Sequence, residues 1–152
     1  MQVESTILIP TGPQPIFALY ADVGRWHTWD PDTKQASLDG PFEAGTRGRL
    51  LPTQGNAVPM LLSSVQADRS FTVVSRIPMF KMVFEHELRP VAGGTEATHR
   101  VSFSGLLAPI LGRVLAARLR RNLPLTPYSR ATFYGGGREG YVDYPRHEAN
   151  AG

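Results

Sequence analysis

Residues 82–104, MVFEHELRPVAGGTEATHRVSFS, decide the fold. On either side of Gly93-Gly94 the residues alternate between apolar and polar, the period of a half-buried strand. A two-residue Gly93-Gly94 turn pairs Ala92 with Thr95, which sets Phe84 opposite Phe103, His86 opposite Val101 and Leu88 opposite His99. On the other face the same register sets Glu87 against Arg100 and Glu85 against Ser102. A slip of one residue would scatter both patterns, so the stretch reads as an antiparallel hairpin with one buried face. His86 and His99 become diagonal neighbours on that face.

Working outward from the hairpin, the preceding chain is a series of short strands: Gln35 to Leu38, Thr46 to Leu51, Val58 to Gln66 and Phe71 to Ile77. Asp39-Gly40-Pro41, Gly45, the stretch from Pro52 to Gly55, and Ala67-Asp68-Arg69 punctuate them. Connections this short predict antiparallel neighbours in a meander. An earlier strand, Val3 to Ile9, is closed by Pro10. Thr11-Gly12-Pro13-Gln14-Pro15 then leads into a short helix with Ile16, Phe17, Leu19 and Tyr20 on its apolar face.

Downstream, Leu107, Leu111, Leu115, Leu119 and Leu123 recur every four residues, flanked by Ile110 and Val114. This spacing predicts an amphipathic helix entered through Pro109. A stripe this wide needs an apolar surface to lie on, and the buried face of the hairpin offers one. Arg113, Arg118, Arg120 and Arg121 fall mostly on the other side. The ordinary reading is a solvated helix face, with a phosphate-, nucleic-acid- or membrane-facing patch as the alternative.

At 152 residues the chain is the size of one domain, able to bury roughly 70% of its unfolded surface. Its 41% hydrophobic and 19% charged residues are those of a globular protein, and no apolar run nears the ~20 residues of a bilayer span. The net charge of +3 is too small to imply an acidic partner by itself. Without cysteine there is no disulfide or thiolate site, and the first residues lack the pattern of a secretory signal, so a cytoplasmic location is the default expectation.

The order of elements, with Ala21-Asp22-Val23, Trp26 and Trp29-Asp30-Pro31 after the first helix and Gly105-Leu106-Leu107-Ala108-Pro109 leading into the last, resembles a known group. It is the polyketide cyclase/dehydrase group of the START-like (SRPBCC) superfamily, which shares its helix-grip fold with the Bet v 1 plant allergens. The resemblance covers about residues 2 to 125. It implies an α+β fold: a curved antiparallel sheet of six or seven strands around a long C-terminal helix, with a cavity for lipids, polyketides or other hydrophobic molecules between them. Some members cyclise or dehydrate such ligands and many only bind them. The chain departs from the group at its end, where Pro124, Pro127, Gly135-Gly136-Gly137 and four of the five tyrosines follow. The expected division is a ligand-binding domain at 1–127 and an irregular tail at 128–152.

On that frame the ligand-facing candidates are Met82, Phe84, His86, His99, Val101 and Phe103 from the hairpin and Met60, Leu62, Phe71 and Val73 from neighbouring strands. Leu111 and Leu115 of the helix and Trp26 and Trp29 at one end complete the set. Each residue also has a plain reading as core packing. His86 and His99 are the polar candidates, either satisfied core histidines, ligand hydrogen-bonding groups or a general acid-base pair. A two-histidine metal site lacks an inward carboxylate on these strands, so neither metal nor cofactor is expected. Asp30 before Pro31 reads as a turn residue, and Arg76 as a surface arginine or a contact for a carboxylate ligand. No Walker loop, dinucleotide fingerprint, His-Glu-x-x-His or nucleophile elbow occurs.

The leading expectation is a protein that binds a small hydrophobic molecule. The first alternative is a cyclase, aromatase or dehydratase working through His86 and His99. The second is an interaction module acting through the basic helix or the tail, with a homodimer among its forms. Neither nucleic acid binding nor stable membrane insertion is expected.

Overall fold

The computed structural model describes residues 1–122, with side chains through residue 118. The expected tail at 128–152, together with Leu119, Leu123, Arg120 and Arg121 of the helix pattern, lies outside the described side chains.

Seven strands form one antiparallel sheet: β1 (Gln2–Ile9), β2 (Thr33–Leu38), β3 (Arg47–Pro52), β4 (Val58–Gln66), β5 (Ser70–Ile77), β6 (Phe80–Val91) and β7 (Gly94–Ser104). Their order across the sheet is β1-β7-β6-β5-β4-β3-β2, so β2 to β7 run as the expected meander and β1 closes the far edge beside β7. Helix α1 (Pro13–Ala21) and a 3-10 turn at Val23–Thr28 follow β1, and helix α2 (Ala108–Asn122) follows β7. Pro13 and Pro15 occupy the first turn of α1, where a missing N–H costs nothing, and the helix buries Ile16, Phe17 and Tyr20. Leu19, expected on the same face, is only half-buried.

The β6–β7 hairpin forms with its faces as expected but with its register two residues away. Val91, not Ala92, pairs across the turn with Gly94, so Phe84 opposes Val101, His86 opposes His99 and Leu88 opposes Ala97. The cause lies on the third strand. Ile9 of β1 pairs with Thr95, and a Cβ on Gly94 would sit 2.0 Å from the Ile9 carbonyl oxygen. Gly94 is therefore drawn into the strand as a close-contact residue, and Gly93, at φ 87°, makes the turn with Ala92. A shift of two preserves the faces because side chains alternate with period two. It moves the outer ion pair: Arg100 faces Glu85 at 3.8 Å and bonds Glu4 of β1 at 2.7 Å.

Helix α2 lies on the β1–β7 end of the sheet, rotated from the expected orientation. Gly112 and Ala116 are buried, and a Cβ on Gly112 would meet Phe103 Cβ at 3.4 Å. The smallest side chains thus allow the closest approach. Ala108, Leu111 and Leu115 flank them, completing a helical stripe at the expected spacing. Ile110 and Val114 are turned outward, 68% and 67% exposed. Arg118 is not on a merely solvated face: Nε bonds Asp32 Oδ1 at 2.8 Å, Nη2 bonds Thr53 Oγ1 at 2.9 Å and Nη1 bonds Gln54 Oε1 at 3.1 Å. One guanidinium fastens α2 to the opposite edge of the sheet. Among the described residues no helix is long and apolar enough to cross a membrane.

The core divides in two. A larger cluster joins α1 and the Trp26/Trp29 turn to Ala36, Met60, Leu62, Phe71, Val73 and Leu88. A smaller one joins α2 to Val3, Phe80, Val101 and Phe103. Phe84 touches both.

Candidate functional site

Three rows of side chains cross the concave face of β5, β6 and β7, and the strand register defines them. Phe71, His86 and His99 form the first, Val73, Phe84 and Val101 the second, Ser75, Met82 and Phe103 the third. On β5 and β7 these residues are buried, but Met82, Phe84 and His86 of the central strand are only half-covered. A cavity of about 110 Å³ lies over Phe84 and His86, while Met82 packs in the cluster under α2. Its wall includes Val73, Phe84, Val101, Met60, Leu50 and Pro59, with Trp26 and Trp29 from the turn after α1. The half-buried Asp30, Pro31 and Asp32 add a polar edge on the side where Arg118 is fastened.

The two histidines of this wall meet a buried tyrosine behind it, while Asp30, Asp32, Glu85 and Arg100 are its charged residues. Tyr20 Oη lies 2.7 Å from His99 Nε2, and the Tyr20 ring packs against both imidazoles, with ring centroids 5.5 Å from His86 and 5.7 Å from His99. His86 stacks on Phe71 at 4.1 Å with nearly parallel planes, and the two imidazoles meet edge-on at 4.5 Å. Burial lowers the His99 pKa to about 4. It also holds His86 well below the ordinary histidine range, with the neighbouring His99 adding to the effect. Both rings are therefore neutral at neutral pH, and burial pushes the Tyr20 hydroxyl upward so that it keeps its proton.

Three enclosed polar atoms have no hydrogen-bond partner among the described residues: Trp29 Nε1, Ser75 Oγ and His86 Nδ1. All three residues line the cavity. By contrast Trp26 Nε1 donates to the Tyr20 carbonyl at 2.9 Å, which fixes the first tryptophan as a structural plug. Asp30 is the expected turn residue: its carboxylate accepts from Asp32 N at 2.9 Å and from Thr33 Oγ1 at 2.6 Å. Its pKa is raised by burial, against the lowering effect of those hydrogen bonds.

Of the residues singled out from the sequence, the cavity wall brings together Trp26, Trp29, Met60, Val73, Phe84, His86, His99 and Val101. Leu62 and Phe71 are enclosed in the larger cluster, while Met82, Phe103, Leu111 and Leu115 pack in the smaller one under α2. Arg76 is exposed. Sequence reasoning missed Tyr20, which the helical pattern presented as one more apolar residue. It also missed Ser75, although strict alternation from Phe71 through Val73 puts Ser75 on the same face. No cluster of three histidines, cysteines or carboxylates able to hold a metal ion occurs among the described residues.

Solved structures similar to this chain share its fold at low sequence identity. Ara h 8.0201 is 16% identical, with a TM-score of 0.63 over 82% of this chain and 91% of its own. Protein MLL2253 from Mesorhizobium loti is 14% identical, with a TM-score of 0.66 over 82% of this chain and 90% of its own. The di-domain ARO/CYC StfQ from the steffimycin biosynthetic pathway is 14% identical, with a TM-score of 0.64; 83% of this chain aligns to 49% of that longer one. A search of curated proteins found no match. The sequence itself matches the family described as polyketide cyclase / dehydrase and lipid transport over residues 1–124. With that match across the whole described domain, on a helix-grip fold, the chain belongs to the polyketide cyclase/dehydrase and lipid transport family.

Proposed function

We propose that the protein binds a small hydrophobic molecule in the cavity over β5, β6 and β7. The observation that carries this reading is the half-covered strand β6: Phe84 and His86 face inward and line the cavity, yet neighbouring side chains do not close over them. Interiors pack to crystal-like density, so incomplete cover at the middle of a sheet calls for a guest. The cavity's two histidines, held neutral by burial, suit an uncharged ligand better than an ion.

Calorimetric titration with toluene, decanoic acid and naphthalene tests the reading. At least one is expected to bind saturably with one-to-one stoichiometry, and Val73→Phe, which fills the cavity, is expected to abolish that binding while the protein stays folded. Absence of binding across the panel, or binding that survives Val73→Phe, would overturn it.

A second reading, cyclisation or dehydration, is favoured by the Tyr20–His99 hydrogen bond beside the cavity, because a histidine positioned by a second group is a common acid-base arrangement. A base with a pKa of about 4 is weak at neutral pH, which places this reading behind binding. Turnover of a polyketide substrate that disappears in His86→Ala/His99→Ala would reverse the ranking.

A further inference from the structure

The outward face of α2 is not that of an ordinary surface helix. Its inner stripe of Ala108, Leu111, Gly112, Leu115 and Ala116 packs on the sheet, and a surface helix then carries polar residues on the opposite side. Here Ile110 and Val114 stand outward one turn apart, with Leu106 a turn earlier, and they are 68%, 67% and 81% exposed. Arg113 is the one exposed charged group among the described side chains of α2. The apolar surface continues beyond the helix. The Met79 carbonyl accepts from Leu107 N at 3.1 Å, which sets the β5–β6 turn against the entry to α2 and the exposed Met79 at the Leu106 end. Met1, also exposed, runs beside the helix, where a Cβ on Gly112 would sit 3.6 Å from its sulfur. These five are all but one of the large apolar side chains exposed among the described residues, Leu8 being the other, so the exposure is gathered into one patch.

The charge around the patch has one sign. The two chain segments that meet there, residues 69–84 and 97–122, contain no Asp or Glu. Arg76 and Lys81 pair across the strands that flank the Met79 turn, and neither they nor Arg113 has an ion-pair partner among the described residues. The first carboxylates along β1 and β6, Glu4 and Glu85, are held by Arg100. We propose that this face docks on an anionic lipid bilayer, with Leu106, Ile110, Val114 and Met79 entering the headgroup boundary and Arg76, Lys81 and Arg113 meeting the negative headgroups. A bilayer offers negative charge directly above an apolar layer, the pairing this face requires. Helix α2 keeps its packing on the sheet, so the contact is with the membrane surface and spans nothing. A second copy fits worse, because an isologous contact over this face would set Arg113 and its neighbours against the same cations with no acid between them. Nucleic acid would satisfy the cations but leave the apolar row with nothing to bury against.

Cosedimentation of the full chain with vesicles tests the proposal, using phosphatidylcholine alone and an equimolar mixture of phosphatidylcholine and phosphatidylglycerol. At about 0.1 M salt the wild type is expected to bind the mixed vesicles at least about tenfold more tightly than the neutral ones, and to lose most of that preference at about 1 M. Ile110→Gln/Val114→Gln is expected to weaken binding to the mixed vesicles about tenfold, and Arg76→Gln/Arg113→Gln by about as much. All four side chains are exposed, so the melting temperature of either variant is expected to match the wild type. Equal binding to the two compositions, no binding to the mixed vesicles, or binding that survives the loss of Ile110 and Val114 would overturn the proposal. So would a dimer in sedimentation equilibrium that Ile110→Gln/Val114→Gln abolishes while vesicles go unbound, since the face would then belong to a second copy.

Discussion

The Tyr20 hydroxyl and His99 Nε2, 79 residues apart in sequence, meet at 2.7 Å inside the protein and tie the first helix to the last strand. Both residues are buried, so no water replaces the bond when one partner is removed. Tyr20→Phe keeps the ring packing against Trp29, Phe71 and the two imidazoles but leaves a buried ring nitrogen unpaired. It is expected to cost about 1–3 kcal/mol of stability in urea denaturation. An unchanged midpoint would show that the bond does not hold the two elements together.

The neutral histidines make stability depend on pH with a definite sign. An unfolded histidine takes up its proton near pH 6.5, whereas folded His99 does so only near about 4. Its contribution is therefore fully present above pH 6.5 and is lost as pH falls from there through about 4. His86 acts in the same direction. Asp30, raised by burial, acts in the opposite sense nearer the carboxylate range, so the His99→Gln variant isolates the histidine part. Melting temperature is expected to fall from pH 7 to pH 5 in the wild type and to fall less in that variant. Equal slopes would contradict the assignment.

Arg118 makes three side-chain hydrogen bonds from α2 to Asp32, Thr53 and Gln54. With its side chain 30% exposed and that of Asp32 22% exposed, solvent screens the ion pair. Arg118→Met is expected to cost only about 0.5–1 kcal/mol, and less at 1 M salt. A salt-independent loss in urea denaturation would point to packing of the arginine stem instead.

Met79 holds a left-handed backbone, φ 60°, directly after Pro78 in the β5–β6 turn, and its side chain is largely exposed. A proline followed by a positive-φ residue is the pattern of a turn that favours glycine at the second position. Met79→Gly is expected to raise stability by about 1 kcal/mol, read as a higher melting temperature. A lower melting temperature would mean that the exposed thioether packs on its surroundings.

The faces of the strands were legible because alternation is local: Phe84, His86 and Leu88 declare one side without reference to anything distant. The register was not, because it is set by Gly94 lying against the Ile9 carbonyl, a contact between strands more than half the chain apart in sequence. The helix was legible as a helix from its leucine spacing. Its rotation was not, since Gly112 and Ala116 look inert in a hydrophobicity pattern and matter only once Phe103 is known to face them. The two histidines could be picked out as inward-facing polar residues, whereas Tyr20 could not be told from a core aromatic until His99 was seen beside it.

The most direct measurement of ligand binding uses the methionine methyl groups as internal reporters. Met60 lines the cavity and is buried, while Met1 and Met79 are exposed and do not line it. In a methyl-labelled sample titrated with toluene, the Met60 signal is expected to shift saturably while those of Met1 and Met79 stay in place. A Met60 signal that does not move, or three signals that move together, would contradict a guest seated over the central strands.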